Sequence, residues 1–119
     1  MEVHEITLMI GTDQPNALAH FYGDVLGLQR LTQYHDPVFR AAGGNIRILH
    51  HSRIAGRTTQ PARMQINLFV DDVRAEWRRV AAAGVHFVRE PEDESWGGVV
   101  ATMEDPDGNY VQLVECTPG

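Results

Sequence analysis

The sequence predicts an α+β chain built from two βαβββ modules, and three observations carry that prediction. An apolar, β-branched stretch is followed by an amphipathic helical pattern twice, first at 5–10 and 15–25 and again at 63–70 and 73–81. Each helical pattern stops at a glycine, Gly27 and Gly84, which lie 57 residues apart in a chain of 119. The same kind of strand start then follows each stop, "GLQRL" in the first half and "GVHFV" in the second. A period of this length marks a duplicated supersecondary unit.

Each element has a local reason. "EITLMI" (5–10) reads as a strand broken by "GTDQP", and Pro15 suits a first helical turn, where its missing N–H costs nothing. Leu18, Phe21, Tyr22 and Val25 recur at helical spacing and make one apolar face, and Gly27 takes the position just past the helix. Short strands are predicted at about 37–42 and 45–50. "RMQINLFV" (63–70) opens the second module, "DD" supplies an N-cap, and Val73, Trp77, Val80 and Ala81 form the next helix face, with Trp77 read as core. Strands at about 98–104 and 109–115 close the module. Between them, "DPDG" (105–108) predicts a hairpin: Asp105 accepts a local hydrogen bond, Pro106 presets its φ, and Gly108 ends a type I turn. The chain is thus expected to be one domain of two repeats, about 1–52 and 63–119, joined by the linker 53–62.

Composition narrows the function classes. With 43% hydrophobic and 22% charged residues the chain is globular in type, and its size supports a self-sufficient core. A formal charge of -6 argues against nucleic acid as a partner, because a nucleic-acid binder needs a cationic face to displace counterions. No window approaches the roughly 20 apolar residues of a membrane span. The start, "MEVHEITLMIGTD", has no basic region and only a short apolar run, so no signal peptide is expected. Cys116 is the lone cysteine, so no internal disulfide forms and a cytoplasmic setting is expected.

"FYGDVLGL" (21–28) and "WGGVVATMEDPDGNYVQLVE" (96–115), in that order and separation, resemble the vicinal-oxygen-chelate superfamily of glyoxalase I, extradiol dioxygenases, fosfomycin-resistance enzymes and bleomycin-resistance proteins. The resemblance covers essentially the whole chain. It implies that the two modules form a curved eight-stranded mixed sheet around a cup-shaped cavity, and it implies a homodimer. In metal-dependent members, ligands come from strands of both modules. Carried over one by one, the position on the last strand, normally Glu, falls on Gln112. The one on the strand opening the second module, usually His, falls on Gln65. The one ending the first module falls on Arg47, and the first-strand position falls on Glu5 or on Thr7. An arginine offers no lone pair and stays cationic, and neutral amides are weak ligands for transition metals. No metal and no cofactor are therefore expected.

Strand alternation supplies the rest of the candidate ligand-binding set. Tyr110 and Gln112 share one strand face; Gln65, Asn67 and Phe69 share another, and Met9 joins them if these faces line the cup. Such a mixed wall suits a partly apolar small molecule with a few hydrogen-bonding groups. Glu5 and Arg47 are read either as a structural ion pair or as a proton acceptor beside an anion-binding guanidinium. Trp96, in "EDESWGG", either covers a flat ligand or packs on the sheet. The six histidines, His4, His20, His35, His50, His51 and His86, show no ligand spacing. Two function classes stay open: a metal-independent small-molecule binding protein like the bleomycin-resistance branch, or an enzyme, either metal-dependent with atypical ligands or metal-free with Glu5 and Arg47 as catalytic candidates.

Overall fold

A computed structural model of the chain describes residues 1–116. The chain divides into two compact units, one ending at Gly56 and the other beginning at Arg57, so the division falls inside the 53–62 segment. Each unit is a βαβββ module with its own four-stranded mixed sheet.

The first module contains β1 (Thr7–Thr12), α1 (Pro15–Ala19), a π-wound continuation over His20–Val25, β2 (Gln29–Arg30), β3 (Val38–Ala41) and β4 (Gly44–His50). Its strand order is β1-β4-β3-β2, with β1 parallel to β4 and the other pairs antiparallel. The helix keeps its predicted face, since Leu18, Phe21 and Tyr22 are all buried. The winding is a correction to the regular helix that the spacing predicts. Leu26 N–H reaches back five residues to the Phe21 carbonyl (2.9 Å), and Leu28 N–H reaches six, to that of Tyr22 (3.1 Å). The widened turn lets adjacent Phe21 and Tyr22 both point inward, with their rings edge-to-face at 4.9 Å. Gly23 permits the close approach to β3, because a Cβ there would stand 2.7 Å from the Phe39 ring. On β3 and β4, Phe39, Ile46 and Ile48 complete this buried layer.

The second module contains β5 (Ile66–Phe69), α2 (Val73–Ala82), β6 (Phe87–Asp93), β7 (Val99–Glu104) and β8 (Tyr110–Glu115), in the order β5-β8-β7-β6. Helix α2 begins where the sequence expects, with Asp72 accepting from Ala75 N–H (3.0 Å). Glu115 adds a second cap from β8 by accepting from Val73 N–H at 2.7 Å. Val73 and Val80 are buried, but Trp77 is only half-buried, so the core reading of Trp77 is corrected: α2 covers the sheet with its two valines. Strand β6 carries two irregularities against β7, between Phe87 and Arg89 and between Arg89 and Glu92. Arg89 there binds Glu94 and Glu92, and hydrogen bonding to Glu94 first and Glu92 second raises its pKa.

The predicted hairpin turn is present. Gly108 N–H bonds the Asp105 carbonyl (2.9 Å) and Gly108 has φ of 83°, a conformation that glycine adopts without strain. Two strand starts differ from the sequence reading. β1 begins at Thr7 because its partner β4 begins at Gly44 and the ladder pairs Thr7 with Asn45, leaving Glu5 with no strand opposite. β5 begins at Ile66 because residues 60–63 form a turn, closed by Arg63 N–H on the Gln60 carbonyl. Among the described residues no helix is long and apolar enough to cross a membrane.

Candidate functional site

In each module one sheet face packs on the helix and the other faces away from it. On β4, Ile46 and Ile48 face the helix, so Asn45 and Arg47 lie on the other face. The parallel register sets Met9 beside Arg47 and Thr7 beside Asn45. Met9 is 56% exposed, an apolar side chain left open on that face. Arg47 Nη2 donates to Asp36 Oδ2 at 2.5 Å, whereas Arg47 Nε is buried with no hydrogen-bond partner. The half-open Arg47–Asp36 pair is partly screened and contributes about 1 kcal/mol.

Glu5 lies ahead of β1, and its carboxylate accepts from Asn45 Nδ2. The expected Glu5–Arg47 ion pair therefore does not form. Glu5 stands four residues before Met9, the ladder partner of Arg47, and each charged group has its own neighbour instead.

On the second module, Ile66, Leu68, Val111 and Leu113 alternate with Asn67, Phe69, Tyr110 and Gln112. The ladder partner of Gln112 is Asn67. Gln65, which the resemblance matches to a ligand, precedes the strand and donates through Nε2 to the Ala62 carbonyl (3.2 Å). Gln112 Nε2 donates to Thr102 Oγ1 across the β7–β8 ladder (3.1 Å). Phe69 is 69% exposed beside these amides. Tyr110 forms one wall of an open depression of about 500 Å³, lined also by Gln60, Pro61, Ala62 and Arg63. Trp96 sits elsewhere. It precedes Val99, which pairs with Glu115, so it lies at the opposite end of the β7–β8 ladder from Tyr110.

The divalent metal of the superfamily's metal-dependent members does not fit these residues. Arg47 is a cation already paired with a carboxylate. The Gln112 and Gln65 amides are oriented by hydrogen bonds in which they donate. Among the described residues no three His, Cys, Asp or Glu side chains cluster as ligands could. His51 accepts at Nδ1 from Arg53 N–H (3.1 Å).

Sequence reasoning missed Asp36, Thr102 and the 60–63 turn. Thr102 was within reach, since a hairpin closed at "DPDG" sets it opposite Gln112. Asp36 was not, because a loop residue that folds back onto a strand leaves no periodic trace.

Comparison with known proteins places these observations in a family. The model of the Glyoxalase/Bleomycin resistance protein/Dioxygenase superfamily matches residues 4–113. CFP32 of Mycobacterium tuberculosis, which carries a provisional glyoxylase name, is 30% identical over 114 residues, as is its namesake in Mycobacterium bovis. The alignment covers 90% of this chain but only 42% of those relatives, so this chain spans less than half their length. A glyoxalase/bleomycin resistance protein/dioxygenase family enzyme from Burkholderia phytofirmans has a similar structure, with a TM-score of 0.77, 19% identity and coverage of 93% of this chain and 97% of that one. Lactoylglutathione lyase from Agrobacterium tumefaciens gives 0.72 at 20% identity, covering 92% and 91%. At such identities these structures speak for the fold. With the family model matched from His4 into β8 and the βαβββ module present twice, the chain belongs to the Glyoxalase/Bleomycin resistance protein/Dioxygenase superfamily.

Proposed function

We propose that this chain is a metal-independent small-molecule binding protein of the superfamily, resembling its bleomycin-resistance branch. The observation that carries the reading is Arg47: the position that the resemblance matches to a metal ligand holds a guanidinium, and that guanidinium is paired with Asp36. The amides at Asn67 and Gln112, the exposed Met9 and Phe69, and the wall formed by Tyr110 support a ligand that is partly apolar with a few polar groups. The metal-free enzyme reading, with Glu5 as base beside Arg47, loses support because the two groups are held by separate partners. A homodimer and a cytoplasmic setting, the latter consistent with the exposed thiol of Cys116, complete the proposal.

The test is elemental analysis of tag-free protein before and after incubation with Zn, Fe, Mn and Ni, followed by a thermal-shift screen of planar and drug-like compounds. The expected outcome is well under one metal per chain together with compound-dependent stabilisation. A ligand at 100 times its Kd raises stability by about 2.7 kcal/mol, which the shift reads directly. One tightly held metal per chain would overturn the metal-independent reading, and a screen without hits would overturn binding. Light scattering on the same sample is expected to give twice the chain mass; the mass of a single chain would remove the dimer.

A further inference from the structure

We infer that the depression walled by Tyr110 and the 60–63 turn is a site for a planar aromatic carboxylate, with Arg63 as the residue that selects the acid. The inference deepens the proposed function and rests on it. The sequence builds the site locally. Pro61 takes the second position of a turn closed by Arg63 N–H on the Gln60 carbonyl at 3.1 Å. That turn brings Gln60 and Arg63 side by side, and Arg63 Nε and Nη2 both donate to Gln60 Oε1, at 3.0 and 2.6 Å. The guanidinium plane is thereby fixed by a neutral group. Arg47, Arg57, Arg74, Arg79 and Arg89 each reach a carboxylate within this chain. Among the described residues no carboxylate pairs with Arg63, and the guanidinium edge turned away from Gln60 is left for a ligand.

Pro61, Ala62 and Tyr110, which line the depression with Gln60 and Arg63, are residues with mainly apolar side chains. The depression, about 500 Å³ and open to solvent, is within the size range of small-molecule sites. A flat aromatic ring against Tyr110 and Pro61 with a carboxylate on the free guanidinium edge would engage three of the five lining residues. The pair of parallel N–H···O bonds that an arginine offers is what distinguishes a carboxylate from its amide.

The test compares 2-naphthoate with 2-naphthamide, which share a ring and differ in charge, by calorimetric titration of tag-free protein at low salt, with and without chelator treatment. The acid is expected to bind about tenfold more tightly than the amide, the range of one charge-assisted hydrogen-bonded pair at a partly exposed site. Arg63→Gln should reduce that preference to within about twofold while the amide's affinity holds, and Arg53→Gln should leave it intact. Raising the salt should shrink the preference in the parent protein. Equal binding of both probes would overturn the inference and leave the wider binding reading standing. A preference that survives Arg63→Gln and disappears in Arg47→Gln would also overturn it, by moving the anion site to the first module. Binding of neither probe overturns it too, and the thermal-shift screen separately decides the fate of the wider binding reading.

Discussion

Replacing Asp105 with alanine is expected to cost about 4 kcal/mol, a large fraction of the roughly 5–15 kcal/mol that stabilises a typical domain. Asp105 is 2% exposed, and its carboxylate is an acceptor three times over. Oδ1 takes the N–H groups of Asp107 and Asn109, both at 2.9 Å, and Oδ2 takes Asn109 Nδ2 at 2.8 Å. The truncation removes three charge-assisted bonds and leaves their donors in a place where water replaces them poorly. The turn is further covered from the 57–60 segment: Thr58 N–H binds the Asp107 carbonyl at 2.8 Å, and Arg57 lies over Gly108 while pairing with Glu104.

The effect of Asp105→Ala extends beyond the turn. The turn sets the β7–β8 register, which places Gln112 opposite Thr102, and a slip of one residue would turn Gln112 and Tyr110 to the helix side. Urea denaturation should show a midpoint lowered by at least about a quarter. Asp105→Asn should fall between, at about 2 kcal/mol, because its oxygen still takes the two backbone donors while its amide N–H₂ meets Asn109 Nδ2. Equal stability of Asp105→Ala and the parent would show that the turn is held by its backbone alone.

The sequence and the structure agree where a pattern is repeated or closed by a short turn. The duplicated module, the buried Leu18–Phe21–Tyr22 face and the hairpin at 105–108 were all legible, since each follows from periodicity or from a residue's intrinsic φ preference. Side-chain alternation on β8 was legible for the same reason, being counted from Gly108 four residues away. Strand starts were harder to read. Glu5 and Gln65 each stand just before a strand, in stretches apolar enough to be read as strand, and what ends each ladder lies elsewhere: Gly44 opposite Ile6, and the turn at Gln60. Their side chains are then free to turn to Asn45 and to the Ala62 carbonyl, which no spacing foretells. Asp36 on Arg47 is a tertiary encounter of the same sort, and it settles the partner of the most informative side chain of the first module. The π-wound segment belongs here as well. Its i, i+3, i+4 apolar spacing is that of an α-helix, and only packing of two adjacent aromatic rings against a glycine-thinned contact favours the wider turn.

Gly98→Ala is expected to destabilise the chain by about 3 kcal/mol, through contact alone and not through backbone strain. A Cβ built on Gly98 would run into the six-membered ring of Trp96 and would stand 2.5 Å from the Glu115 carbonyl oxygen. The indole can yield, since it is a side chain 56% exposed at the surface. The carbonyl cannot, since it belongs to β8 and Glu115 is paired with Val99 next to Gly98. The two causes separate in a double-mutant cycle with Trp96→Ala. Removing the indole should recover about 1 kcal/mol of the loss and leave the rest, which belongs to the parting of β7 from β8. Full recovery in the double variant would mean that the ring alone opposes the methyl group and that the strand ends have room to spare. The same cycle decides the role of Trp96. An indole seated on Gly98, about 20 Å along the ladder from Tyr110, is a cover for the β7–β8 end. Trp96→Ala should therefore leave the affinity of a ligand bound beside Tyr110 unchanged within about twofold, whereas a tenfold loss would bring Trp96 back into the binding site.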